Sequence, residues 1–328
     1  MSDLVLYGIF AAIVVVLLAV DLLVVQRDTH EVSIKEAATW SVIWIGMAVI
    51  FGLTISRFHD GDGQTVVEYF TGYVIEKSLS VDNVFLFVLI FSALSVPREL
   101  QHRVLFYGVL GAIVMRGVLI FTGAALIERF AWILYVFGAF LLYVAWKTWR
   151  ERAHQPDITK SRLMKRIRRV LPTTNDYRGE YFVVREHGKL LFTPLFVVLV
   201  LVEFTDLIFA VDSIPAIFAI TRDPFIVLTS NIFAILGLRS LYFLLAGVAD
   251  RLHYLKHGLA IILGYVGLKL LTENVPGIWH PSPLQSLGII CAILLIVTGM
   301  SLRFPRSEPA SEQESAPAGD QEALQERR

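Results

Sequence analysis

Polar residues interrupt the chain at intervals, and between them lie nine apolar stretches near 4–25, 38–56, 66–95, 102–122, 130–149, 193–220, 225–247, 257–272 and 284–303. About 20 apolar residues in a helix cover the hydrocarbon core of a bilayer. The pattern therefore predicts an all-α polytopic membrane protein with about nine transmembrane helices. Two stretches, 66–95 and 193–220, carry ionisable residues in their interiors, and 257–272 is short and flanked by charge. The first stretch lacks the basic leader and small-residue cleavage site of a signal peptide, so it reads as a retained helix.

Composition agrees. The 328 residues are 55% hydrophobic and 18% charged, with a mean hydropathy of +0.64; soluble domains are about 45–50% apolar and about 25% charged. Such a chain is not disordered, not a nucleic-acid-binding domain and not an ordinary water-soluble enzyme. Its 29 basic and 29 acidic residues cancel, so net charge calls for no polyanionic partner. The single cysteine, Cys291, excludes a disulfide framework, a thiolate zinc site and a CxxC redox pair. With no P-loop and no nucleophile–base pair, the reading is of a non-enzyme with no permanently bound cofactor.

The connecting segments set an orientation. Alternate ones hold Arg27 and Lys35, Arg98 and Arg103, eleven Lys/Arg over 150–192, Arg251 and Lys256, and Arg306; those between them hold at most one each, among them Arg57, Arg129 and Arg222. By the positive-inside rule the N-terminus is outside and the C-terminus cytoplasmic. The basic run Lys165-Arg166-Ile167-Arg168-Arg169 serves topology near anionic lipid or docking. The Ser-, Glu-, Pro- and Ala-rich tail 307–328 reads as disordered and cytoplasmic.

The chain also contains a weak copy of itself. Glu76-x4-Val81-Asp82-Asn83-Val84 answers Asp206-x4-Val211-Asp212-Ser213-Ile214, 130 residues on. Arg116 answers Arg239 after 123 residues, and Tyr143-Val144-Ala145-Trp146-Lys147 answers Tyr265-Val266-Gly267-Leu268-Lys269 after 122. Each copy has three spans, so the second enters the membrane from the opposite side. Such inverted repeats suit alternating access, with the binding site between the halves. The expected organisation is two peripheral helices in 1–63, repeat A in 64–149, the basic loop 150–192, repeat B in 193–273, a last helix in 274–306 and the tail.

A carboxylate at a membrane centre costs about 2.5–3.5 kcal/mol on insertion scales. Here Glu76, Asp82, Glu203, Asp206 and Asp212 lie inside spans, beside the neutral oxygens of Asn83 and Ser213. Lys77, Arg116 and Arg239 supply counter-charge, but three cations against five acids leave a surplus that a cation or protons must complete. Glu76 and Asn83 share a helix face, as do Asp206 and Ser213, whereas Asp82 and Asp212 are turned about 100° away. Pro215 predicts a local unwinding that would bring Asp212 back and free backbone carbonyls. Oxygen ligands of this kind suit Mn²⁺, Mg²⁺ or Ca²⁺ rather than Zn²⁺ or Cu⁺. Asp21 could lie on the ion path or beside it, and Asn231 could cap a helix or line the path.

The segments Glu76-Lys77-Ser78-Leu79-Ser80-Val81-Asp82-Asn83-Val84-Phe85 and Glu203-Phe204-Thr205-Asp206, continuing through Asp212-Ser213-Ile214-Pro215, resemble signatures of the TerC/Alx family of integral membrane proteins. Thr229-Ser230-Asn231 through Gly237-Leu238-Arg239 matches as well, and the likeness runs from about residue 20 to 303. The resemblance implies a bacterial inner-membrane protein linked to Mn²⁺ export, with some members linked to tellurite resistance or pH response. It also implies that Glu76, Asp82, Glu203, Asp206 and Asp212 form the metal path. Tellurite is an anion and finds no complement in a buried negative surplus. The expected partners are thus a divalent ion and the lipid bilayer, not nucleic acid, with a non-transporting scaffold or stress-response component as the alternative.

In a Cys291→Ser background, cysteines placed within 58–64 or 274–282 should label from outside, and those within 155–190 only from the cytoplasm. Outside labelling of 155–190 would overturn the orientation.

Overall fold

The computed structural model describes residues 3–22, 33–59, 63–150, 171–174, 176–186, 188–246, 254–273, 275 and 281–303. The basic run 165–169, the tail 307–328, Arg27, Arg251 and Arg306 lie outside the described residues. Ten α-helices are described: α1 Asp3–Val20, α2 Ile34–Thr54, α3 Gly63–Ala93, α4 Arg98–Arg129, α5 Ile133–Arg150, α6 Pro194–Phe218, α7 Pro224–Leu236, α8 Leu238–Leu245, α9 Leu255–Thr272 and α10 Pro283–Arg303. Five of the spans, within α2, α4, α6, α9 and α10, are long and apolar enough to cross a membrane, and α7 with α8 makes a sixth if the bent pair is one span. The shorter α1 is apolar throughout, α3 is diluted by its own acids, and α5 by the Lys and Arg of its last turn. The chain is a helical, multi-pass membrane protein.

One departure from an all-helical fold is the hairpin of β1 Val183–Glu186 and β2 Lys189–Phe192, antiparallel, with Gly188 (φ +78°) in its turn. The segment before it is strapped to the start of α4 and the end of α3. Arg103 pairs with Glu180 and lies over the rings of Tyr107 and Phe182, and the Tyr177 hydroxyl donates to the Leu94 carbonyl at 2.8 Å. Burial pushes the Tyr177 phenol up to about 12, so it stays a donor.

Contacts sort the helix ends into two groups. At one end, Tyr242 meets Gln101, Trp149 meets His257, and the Tyr254 amide meets Ser301. At the other, His59 pairs with Asp223 and Arg222 with Glu273. Asp223 also caps α7, accepting from the Phe225 amide at 2.8 Å. The helices α3, α4, α6 and α7 pack on one another at the centre, α2 lies on α7 and α8, and α10 lies on α3 and α9. Helix α1 seats Tyr7 and Phe10 against Phe225.

The sequence expectation of a break at Pro215 is not met. Helix α6 runs unbroken to Phe218, with Pro215 buried inside it. A proline so near a helix end forfeits one hydrogen bond of a turn that is already terminating, so the ladder need not open earlier. The break falls in the next span instead, where α7 and α8 bend by 40° at Gly237. A Cβ on Gly237 would sit 3.0 Å from the Lys77 ammonium and 3.2 Å from Trp44 Cβ. Through this gap Lys77 donates to the Ala234 carbonyl at 3.1 Å, so a cation satisfies an acceptor at the C-terminus of α7.

Helices α5 and α9 make the closest approach. A Cβ on Gly267 would lie 2.9 Å from the Gly138 carbonyl, and one on Gly138 would lie 3.0 Å from the Gly267 carbonyl. In lipid, small residues of this kind let backbones meet and gain dispersion contacts. Gly267→Ala should therefore cost about 1–3 kcal/mol and lower the melting temperature in detergent. Gly117→Ala, with nothing within 4 Å of its Cβ, should not lower it.

Candidate metal centre

Arg116 lies at mid-length in α4, where a guanidinium can reach neither water nor headgroups, and it is fully buried. Such a charge must be paired within the protein. Its Nε and Nη2 donate to Asp206 Oδ2 and Oδ1 at 3.1 and 2.9 Å, a planar fork on one carboxylate from α6. Its Nη1 donates to Glu76 Oε1 on α3 and, at 3.2 Å, to Asn231 Oδ1 on α7. Asn231 returns its amide to Glu76 Oε2 at 3.0 Å, and Asn83 donates to Asp206 Oδ1 at 3.2 Å. Four helices meet on this one cation.

Beside this network is a cavity of about 50 Å³, lined by Glu76, Asp82, Asn83, Arg116, Asp212 and Ser213, with Thr148 from α5 and Leu259 from α9 among the walls. That volume admits a few waters or a cation with part of its hydration shell. The sequence turned Asp82 and Asp212 away from the buried stripe and invoked unwinding to recover Asp212. No unwinding is needed, because the cavity lies on that turned face, where α3 and α6 meet α9 and α5. Two buried oxygens have no hydrogen-bond partner there: Asn83 Oδ1 and Ser213 Oγ. Each follows its cavity carboxylate in sequence.

The predicted site residues therefore separate. Glu76 and Asp206 are consumed by Arg116 and by amide donors. Asp82, Asn83, Asp212 and Ser213 share the cavity. Glu203 is not among the cavity-lining residues: its carboxylate fills the notch left by Gly111 on α4, where a Cβ would lie 2.0 Å from Oε1, and its Oε2 is buried without a hydrogen bond. Among the described residues no three Asp, Glu, His or Cys side chains gather closely enough to hold one ion. A five-carboxylate centre is not assembled.

The counter-charges separate as well. Only Arg116 neutralises acids at the centre. Lys77 binds the Ala234 carbonyl, and Arg239 pairs with Asp21, tying α1 to the start of α8. Those partners depend on the bend at Gly237, which no motif announces. The sequence left Asn231 open between cap and path, whereas it braces Glu76 and Arg116.

Arg116→Met should leave two buried carboxylates unpaired and cost about 3–5 kcal/mol, read as lost yield and a lower melting temperature in detergent. Adding Glu76→Gln and Asp206→Asn should recover most of that loss. A triple variant no more stable than the single one would show that the ion network is not what Arg116 maintains.

A family model described as "Integral membrane protein TerC family" matches residues 61–308. The chain is 49% identical over 298 residues to an Escherichia coli (strain K12) protein named "Putative membrane-bound redox modulator Alx", covering 89% of this chain and 92% of that one. It is 45% identical over 308 residues to "Uncharacterized membrane protein STKORF319" of Myxococcus xanthus, covering 94% and 95%. An "Uncharacterized membrane protein" of Rickettsia felis is 43% identical over 266 residues. No solved structure matches.

Proposed function

The chain belongs to the TerC family of integral membrane proteins, and from that premise we propose that it is a secondary transporter exporting a hard divalent cation, Mn²⁺ foremost, across the bacterial inner membrane. One observation carries the reading: two carboxylates, Asp82 and Asp212, and two orphaned neutral oxygens, Asn83 Oδ1 and Ser213 Oγ, line one cavity. A buried oxygen without a donor costs about 1–3 kcal/mol, and a cation removes that cost. An all-oxygen set with two charges suits a hard divalent ion that keeps some water. Arg116 has its donors engaged on Glu76, Asp206 and Asn231, so it holds the site's frame.

Alternating access is supported by how the ligands are supplied. Asp82-Asn83 and Asp212-Ser213 come from the corresponding helices of the proposed inverted repeats, α3 and α6, which pack together; so do α4 with α7 and α5 with α9. The nine-span, N-outside topology is part of this reading. Arg98, Arg103, Lys147, Arg150, Arg178, Arg185, Lys189 and Lys256 all lie toward one end, which we take as cytoplasmic. Thr148 in the last turn of α5 and Leu259 near the start of α9 place the cavity toward that end. The His59–Asp223 and Arg222–Glu273 pairs join elements at the other.

A second reading, a non-transporting stress-response component, draws on the name of the Escherichia coli relative. A dithiol couple within one chain is ruled out by the single Cys291.

The test is Mn²⁺ efflux from vesicles. Asp82→Asn and Asp212→Asn should each abolish efflux while inserting normally, since removing a charge eases insertion. Mn²⁺ binding should release protons, and affinity should weaken as pH falls, because the metal requires ionised ligands. Wild-type efflux in either variant, or proton-free binding, would favour a structural role for the acids and set exchange aside.

A further inference from the structure

Two lysines stand at the mouth of the cavity. Lys147, in the last turn of α5, adjoins Thr148, which lines it. Lys256, in the first turn of α9, precedes the lining residue Leu259 by about one turn. Each is close enough to act electrostatically on one cavity carboxylate: Lys147 on Asp212 and Lys256 on Asp82. The other intramembrane cations near the site are committed elsewhere, Arg116 to Glu76 and Asp206, Lys77 to Ala234 and Arg239 to Asp21. Lys147 also suits a helix C-terminus. Lys256 opposes the macrodipole at a helix N-terminus, so a facing carboxylate accounts for its position better than its own helix does.

We propose, resting on the transport reading, that Lys147 and Lys256 are tethered counter-cations that make the cavity select a divalent over a monovalent cation. With two ammoniums opposite two carboxylates the vacant cavity is close to neutral. Any entering ion must first displace the ammoniums, at a cost that does not depend on which ion enters. The attraction of two carboxylates is about twice as large for a divalent ion as for a monovalent one at equal distance. The fixed cost thus pushes monovalent affinity below use while leaving a divalent ion bound. These residues touch the reaction through the carboxylates, so their role is in specificity and positioning.

The experiment is equilibrium Mn²⁺ binding to the purified full chain, with choline replaced stepwise by K⁺ at constant ionic strength. Wild type should bind Mn²⁺ with little response to K⁺. The Lys147→Gln/Lys256→Gln variant should bind Mn²⁺ about tenfold more tightly in choline, a size set by a single charge pair in a partly screened site. It should also lose affinity progressively as K⁺ is added, whereas Lys147→Arg/Lys256→Arg should behave as wild type. Identical affinity and K⁺ response in the glutamine variant and wild type would overturn the inference alone, provided that Asp82→Asn abolishes binding. No Mn²⁺ binding by wild type, or binding unaffected by Asp82→Asn, would overturn the transport reading and this inference with it.

Discussion

A fully buried guanidinium has to be surrounded by acceptors, and most of the centre of this protein follows from that. Arg116 draws Asp206 from α6, Glu76 from α3 and Asn231 from α7 to one point. Outside water, breaking any of these contacts would strand a charge, so four helices are fixed in register where hydrophobic packing alone would let them slide. Lipid tails resemble leucine side chains and give helices little reason to prefer one another. Directional polar contacts decide the arrangement.

The same pairing determines what remains for a ligand. One cation against two carboxylates leaves the network one negative charge in excess, and Asp82 and Asp212 add two more. Had the guanidinium been placed one turn further along α4, another set of acids would have been neutralised. Local chemistry at Asp82-Asn83 and Asp212-Ser213 is therefore meaningful only together with the engagement of Arg116.

The surrounding helices differ in how firmly they are held. Helices α5 and α9 are locked through Gly138 and Gly267, backbone against backbone. The bend between α7 and α8 is held by side chains, with Lys77 on the Ala234 carbonyl and Arg239 on Asp21. Discrete polar contacts at a break can exchange partners in a way that interlocked backbones cannot. Motion, where it occurs, is concentrated around the Gly237 break and the ion pairs at the helix ends.

The sequence by itself determined the helical, membrane-spanning class, because 20-residue apolar runs have one stable solution in a bilayer. It also singled out the intramembrane acids, since charge in hydrocarbon is too costly to be incidental. A one-dimensional pattern gives each residue's angular position on its own helix, so it could rank Glu76 with Asn83 and turn Asp82 aside. It could not say which neighbour each face meets. Only the tertiary structure decided that Arg116 takes Glu76 and Asp206, that Glu203 settles against Gly111, and that the face carrying Asp82 and Asp212 looks onto a cavity. The location of the break was decided there too: Pro215 is tolerated near a helix end, while Gly237 bends because a lysine and a tryptophan from other helices occupy the space a side chain would need.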